Sequence, residues 1–238
     1  MNRDLVNILG YEVDSFDSAQ ALEYAVKTGG LVVTLNPEMI SQARKNPEFS
    51  KIISSSNLTI PDGIGIELGL RILGRRVKRI AGIEFAHKLI EYCAKNSKPV
   101  ALVGAKPEII EEAVAKIKAE FPLINIVYWH DGYFAEEEKI IQDLSSTNPD
   151  LVLAALGSPK QEMFLNGLKN NLPNAILIGV GGSFDVWSGR VKRAPKIWQQ
   201  LGLEWLYRTI KEPQRFKRIF PTLPMFIIEV LKERLLTK

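Results

Sequence analysis

The sequence is poor in the residues that carry disulfide, redox and metal chemistry. Its one cysteine, Cys93, stands in HKLIEYCAKN, which excludes an intrachain disulfide and fits a reducing compartment. A single thiol within a helical apolar pattern reads as packing rather than as a nucleophile. Only two histidines occur, His87 and His130, without an H-x-x-x-H spacing or paired cysteines, so no metal site is expected. No G-x-x-x-x-G-K-[ST] is present, which removes a P-loop. No run approaches the roughly 20 apolar residues that span a bilayer. The amino-terminal MNRDLVNILGYEVDSF is acidic where a signal peptide needs an apolar core. There is no internal repeat and no low-complexity segment.

What is there is a globular composition, with 46% hydrophobic and 24% charged residues among 238, enough for one large α/β domain or a domain plus an appendage. The net charge of +4 is unevenly spread. Residues 1–189 hold 19 Lys/Arg against 23 Asp/Glu, whereas residues 190–238 hold 12 against 4. An anionic partner is therefore to be sought at the last fifth of the chain.

Strand-like and helix-like runs alternate up to residue 189. VNILGYEV, LVVTLN, NLTI, PVALVGA, INIVYW, DLVLAALG and AILIGVGG are the strand candidates; most are continuous apolar runs, as expected of strands covered on both faces. Helical runs lie between them, with apolar residues at three- and four-residue spacing, as in Ile109, Ile110, Val114 and Ile117. The alternation predicts a mostly parallel sheet with helices on both faces, an α/β fold. Ligands of such sheets bind beyond the carboxyl ends of the strands. Thr34–Asn36, Pro61–Gly63, Gly104, Gly157–Gln161 and Gly179–Asp185 all fall there and are expected to share one rim.

Within IPDGIGIELG, Asp62 follows a strand and precedes a helix. It suits a helix cap, a ribose ligand or a catalytic base, and Gly63 and Gly65 suit close approach of a ligand to the backbone. The glycines at 63, 65 and 69 miss the G-x-G-x-x-G spacing, so a dehydrogenase fingerprint is disfavoured. GSPKQE opens a helix with Lys160 beside free first-turn N–H groups, either an anion site for a diphosphate or an ordinary capped turn. GVGGSFD is a second glycine-rich turn, in which Asp185 suits a ribose hydroxyl or a base edge. From Arg190 onward no strand run occurs, and Pro195, Pro213, Pro221 and Pro224 are expected to break the segment into short helices. Its cations and aromatic residues fit a solvated helix face, nucleic acid, or a peripheral helix on an anionic bilayer.

TLNPEM, IPDGIGIELG, GSPKQE, GVGGSFDVWSGRVKRAP and GLEWLYRTIKEPQRFKR, in this order, resemble the successive motifs of the WecG/TagA/CpsF bacterial glycosyltransferases, most nearly the N-acetylmannosaminyltransferase branch. The likeness runs from about residue 3 to residue 220. It implies a Rossmann-like core over 1–190 and a helical, basic, membrane-associating appendage over 191–238. It also implies inverting, metal- and cofactor-independent transfer of N-acetylmannosamine from its UDP donor to N-acetylglucosaminyl-diphospho-undecaprenol. The product would be a β-1,4 disaccharide, the start of the wall teichoic acid linkage unit.

By the same resemblance Asp62 is the base, with Thr34 and Asn36 near the sugar pocket. Gln161, Gly181, Gly182 and Asp185 line the donor site, and Arg208, Arg215 and Arg218 reach the diphosphate from the appendage; Gly63 and Lys160, read from their own turns, are counted with the substrate-binding residues. The expected partners are a UDP-sugar, a lipid-linked diphosphate, an anionic membrane surface on the cytoplasmic side and a second copy of the chain, with nucleic acid not expected. Two other readings stand beside this one. A relative using UDP-N-acetylmannosaminuronic acid or UDP-glucose would need an added cation, for which RRVKRIAG with Arg79 is the candidate. A non-catalytic nucleotide- or nucleic-acid-binding module with a basic arm would show steep salt dependence.

Overall fold

A computed structural model describes residues 3–211 and 216–236, leaving the side chains of 208 and 216–220 outside the description. The first strand-like run is not one strand but a hairpin, β1 (Leu5–Ile8) and β2 (Tyr11–Asp14), paired antiparallel as a separate two-stranded sheet. Its turn residues Leu9 and Gly10 both have positive φ, 53° and 88°, the geometry that suits the twist of a two-residue hairpin. Leu9 in place of the usual Asn or Asp hides that turn in the sequence.

The other six runs are the strands of one parallel sheet, as the alternation predicts. The chain continues through α1 (Ser18–Thr28), β3 (Gly30–Leu35), α2 (Pro37–Ala43), α3 (Pro47–Ser54), β4 (Leu58–Pro61), α4 (Gly63–Ile72) and α5 (Gly82–Lys95). It then passes β5 (Pro99–Gly104), α6 (Pro107–Glu120), β6 (Asn125–His130), α7 (Glu137–Ser146), β7 (Leu151–Ala155), α8 (Lys160–Leu168) and β8 (Ile176–Gly179). Four helices complete it: α9 (Ser183–Trp187), α10 (Lys196–Gln200), α11 (Glu204–Lys211) and α12 (Phe216–Leu236). The strand order is β4-β3-β8-β7-β5-β6, a Rossmann-like sheet in which β8 joins the β3–β4 pair to the other three strands.

Successive residues along the strands enter two cores on opposite faces of the sheet. Leu31, Val33 and Leu35 of β3 face one core, with Val152, Ala154 and Leu177 and the helices α2, α3, α4 and α8. Val32, Leu58, Ile60, Leu102, Leu153 and Ile178 face the other, against α1, α5 and α6, where Ile109, Ile110, Val114 and Ile117 are all buried. Cys93 is buried in that second core.

The hairpin is fastened by Asp14, fully buried, whose carboxylate receives both the Arg3 guanidinium at 2.7 Å and the Thr59 N–H at 2.8 Å. It thus pins the small sheet to the edge strand β4.

Pro221 and Pro224 do not break the last helix; both lie inside α12. Interior prolines cost about 3 kcal/mol each in an isolated helix, but here tertiary packing prevails. Phe226 and Val230 enter the first core beside Ile66 and Leu70. Gly69 allows that approach: a Cβ on it would come within 3.0 Å of the Phe226 ring and 2.8 Å of Ile8. The Arg44–Glu229 ion pair, the Leu9 N–H on Glu233 and Arg234 on the Ile72 carbonyl hold the same helix to the body.

Candidate active site

A cavity of about 350 Å³ opens over the carboxyl ends of β4, β3 and β8. Thr34, Asn36, Asp62, Gly63, Arg79, Gln161, Gly181 and Gly182 all line it, so residues from five separate segments of the sequence meet at one rim. The turn preceding α5 contributes Ala81 and Gly82, and the carboxyl-terminal helices contribute Gly202, Glu204, Trp205, Thr222 and Leu223.

Asp62 sits where two helices begin. Its backbone precedes α4, yet its side chain makes no capping bond to that helix. Instead its Oδ1 accepts the N–H of Gly82, the first residue of α5, at 3.3 Å. The loop carrying Gly82 is drawn to this point by Ile80, whose N–H donates to the carbonyl of Pro61 at 2.8 Å. Burial pushes the Asp62 carboxyl up from 3.8 to about 6; the N–H groups of Gly82 and Gly63 and the Arg79 cation pull it back down, while Glu204 adds to the rise. A carboxylate held just below neutrality and open to a cavity is suited to accepting a proton.

Thr34, the last residue but one of β3, pairs with Ile60 and is buried, with its methyl against the position a Gly82 side chain would take. Asn36 caps α2, its Oδ1 receiving the Met39 N–H at 3.1 Å, so part of its polarity is spent on the fold. Gly63 has φ of +78° with open space at its Cβ position, as a ligand-facing turn requires. Gly65 also lines the cleft, and it is closely packed there: a Cβ on it would meet two other lining residues, Pro37 at 2.5 Å and Leu223 at 2.9 Å. Arg79 donates through Nη2 to the carbonyl of Gln199 and through its backbone N–H to Glu67, which ties the segment before α11 to the cleft wall.

Gln161 reaches the turn after β8, its Oε1 accepting the Gly181 N–H at 3.1 Å. Two of the expected residues do not line the cavity. Lys160 is exposed and places its Nζ 4.9 Å from the centre of the Phe134 ring. Asp185 lies one turn beyond Gly181, and its carbonyl receives the Val191 N–H and the Ser188 hydroxyl. The side chains of Arg208 and Arg218, and Arg215 altogether, lie outside the described residues.

Glu204, Trp205, Thr222 and Leu223 are cleft residues that sequence reasoning missed; the GLEWLYR motif was the signal for the first two. Of the cations after residue 189, Arg190 forms a forked pair with Glu112 at 2.8 Å, and Arg193 meets Glu84 and Glu204. Among the described residues no three His, Cys, Asp or Glu side chains gather to hold a metal, and no helix is long and apolar enough to cross a membrane.

Comparison with known proteins places the chain in a family. The model of the "Glycosyl transferase WecG/TagA/CpsF family" matches residues 6–238. An N-acetylglucosaminyldiphosphoundecaprenol N-acetyl-beta-D-mannosaminyltransferase of Bacillus subtilis (strain 168) is 41% identical over 208 residues, 87% of this chain and 81% of the relative. A protein of the same name from Bacillus spizizenii (strain ATCC 23059 / NRRL B-14472 / W23) is 35% identical over 223 residues, 93% of this chain and 86% of its own length. With the motifs brought together on one rim and the family model spanning nearly the whole chain, this protein belongs to the WecG/TagA/CpsF family of glycosyltransferases.

Proposed function

We propose that the protein transfers N-acetylmannosamine from UDP-N-acetylmannosamine to the 4-hydroxyl of N-acetylglucosaminyl-diphospho-undecaprenol, inverting the anomeric carbon, as the first step of wall teichoic acid linkage-unit synthesis. The observation that carries this reading is Asp62, a raised-pKa carboxylate in the wall of the cleft, in a chain similar along most of its length to two enzymes named for that reaction.

The acceptor oxygen attacks the anomeric carbon from the face opposite the diphosphate, and its proton passes to Asp62. The bond from the anomeric carbon to the diphosphate oxygen breaks, and UDP leaves with that electron pair. An inverting transfer needs one such base. The negative charge growing on UDP needs donors already in place. Arg79, the N–H groups at the start of α4 and the glycine turn after β8 are the donors we assign to it, joined by Arg208, Arg215 and Arg218 from the appendage. Thr34 and Asn36 border the sugar, and we keep Lys160 and Asp185 as outer contacts of the nucleotide rather than of the transferred sugar.

The acceptor is a lipid, and residues 191–238 supply a surface suited to meet it. Ile197, Leu201, Ile210, Met225, Ile228 and Leu231 are exposed in a stretch of sequence that also carries Lys192, Lys196, Lys211 and Lys232. Apolar side chains among cations are the pattern of a helix resting on anionic lipid. We therefore propose peripheral association with the cytoplasmic face of the plasma membrane through this region, which is also where self-association is expected.

Turnover of UDP-N-acetylmannosamine with a short-lipid acceptor analogue, in EDTA, tests the assignment. Transfer by the wild type and loss of at least roughly 10²-fold on Asp62→Asn, with UDP affinity kept, is the expected result. Turnover with another UDP-sugar alone would overturn the donor, and full activity of Asp62→Asn would overturn the base. Sedimentation with phosphatidylglycerol vesicles, weakened by Ile228→Glu with Leu231→Glu, checks the membrane surface.

A further inference from the structure

Glu162 is 2% exposed, yet it is an acid on a helix that borders the cleft, and one of its oxygens, Oε2, has no hydrogen-bond partner. It is absent from the cavity lining and no step of the transfer uses it. Burying such a group has a cost, so what its other oxygen holds is informative. Oε1 accepts from Gln161 Nε2 at 2.7 Å.

That bond settles a choice. A glutamine amide is nearly symmetric in shape, and its two ends are exchanged by a half-turn. Gln161 must present its oxygen to the Gly181 N–H, at 3.1 Å, and the opposite orientation would set an NH2 against an N–H. Ionised, Glu162 presents only acceptors, so its Oε1 takes the NH2 end and no other. Burial pushes its carboxyl up while Gln161 and Ser158 pull it back down, and with a proton on Oε2 the Oε1 atom is still an acceptor. The amide is also pressed against the backbone at Gly179, where an added Cβ would come within 2.3 Å of Gln161 Nε2. Ser183 ties the far side of the turn through its hydroxyl on the Val180 carbonyl at 2.6 Å.

We propose that Glu162 is a positioning residue, which locks the Gln161 amide and through it the Gly179–Ser183 turn in the shape that receives the diphosphate of the donor. The ligand class rests on the nucleotide-sugar reading above, but the lock itself does not.

The test compares Glu162→Gln, which keeps an acceptor oxygen, with Glu162→Met, which keeps length and loses it, in the full chain. Amide hydrogen exchange without ligand is read at Gly181 relative to a core amide such as Leu153. Exchange at Gly181 is expected to stay slow in Glu162→Gln and to quicken about tenfold in Glu162→Met, roughly the worth of one net hydrogen bond. Titration with UDP is expected to show a similar loss of affinity for Glu162→Met alone, appearing in KM for the donor more than in kcat. Equal behaviour of the two variants, or quickened exchange that is the same at Leu153 as at Gly181, would make Glu162 a stability residue only and overturn the proposal. If the wild type bound no UDP while the Gly181 difference held, the nucleotide-sugar reading would fall and the lock would stand.

Discussion

Replacing Asp62 by asparagine is expected to make the protein more stable and nearly inactive at once. The carboxyl is raised from 3.8 to about 6 by burial. Between those values the folded state holds a proton that the unfolded chain has released, so stability falls as pH rises through this window and is level above about 6. A shift of about two units corresponds to roughly 3 kcal/mol, and the side chain's partial contact with the open cleft reduces this to about 1–2 kcal/mol. Asparagine does not titrate and escapes the penalty. Urea unfolding at pH 7.5 should therefore show Asp62→Asn the more stable, by about 1–2 kcal/mol, with a melting temperature a few degrees higher. At pH 4 the two proteins should differ little. Turnover by the wild type should rise with pH through about 6 and then level, as the base becomes ionised. A stability gain of equal size at both pH values, a loss at pH 7.5, or turnover unchanged between pH 5 and 7 would refute the reasoning.

Phe226→Ala should cost about 3–5 kcal/mol in urea unfolding, because the ring is 2% exposed in the core shared with α4; a near-neutral result would mean that α12 is not held on the body in solution. Asp14→Asn should lose about 3 kcal/mol by breaking a buried ion pair, and circular dichroism melts with and without Arg3→Met would show whether the two losses are shared, as one interaction requires. Cys93 should resist aromatic disulfide reagents at pH 8 until the chain is unfolded, since burial pushes its thiol up to about 12; rapid reaction of the native protein would place it elsewhere than in the core.

The parallel sheet was legible because five of its six strands, all but the edge strand β6, are buried on both faces and so read as unbroken apolar runs between amphipathic helices. The rim was legible for the same reason: once the strands are placed, Thr34, Asp62, Gln161 and Gly181 must fall at their carboxyl ends. The hairpin was hidden because Leu9 occupies a left-handed position that composition assigns to Asn, Asp or Gly. The course of α12 was hidden because proline preferences are local, whereas Phe226 and Val230 find their partners in Ile66 and Leu70 more than 150 residues earlier. The purpose of Gly69 was hidden too, since only the docked α12 shows that a Cβ there would meet the Phe226 ring. The bond between Gln161 and Glu162 has no sequence signature, since adjacent helical side chains ordinarily diverge and nothing in GSPKQE says that these two converge on a turn some 20 residues later.

The place of β8 in the sheet bears on how the molecule is made. Asp62 follows β4, and the glycine turn follows β8, the last strand to leave the ribosome. Until β8 slots between β3 and β7, the sheet exists as two pieces with bare edges facing each other. Contacts of such long sequence separation form slowly, and bare edges invite pairing with other chains meanwhile. Folding should therefore have its slow step at this insertion, and mutations that weaken β8 should show first as inclusion bodies. Because the same event brings the two walls of the cleft together, refolding monitored by UDP binding and by sheet formation should follow one time course.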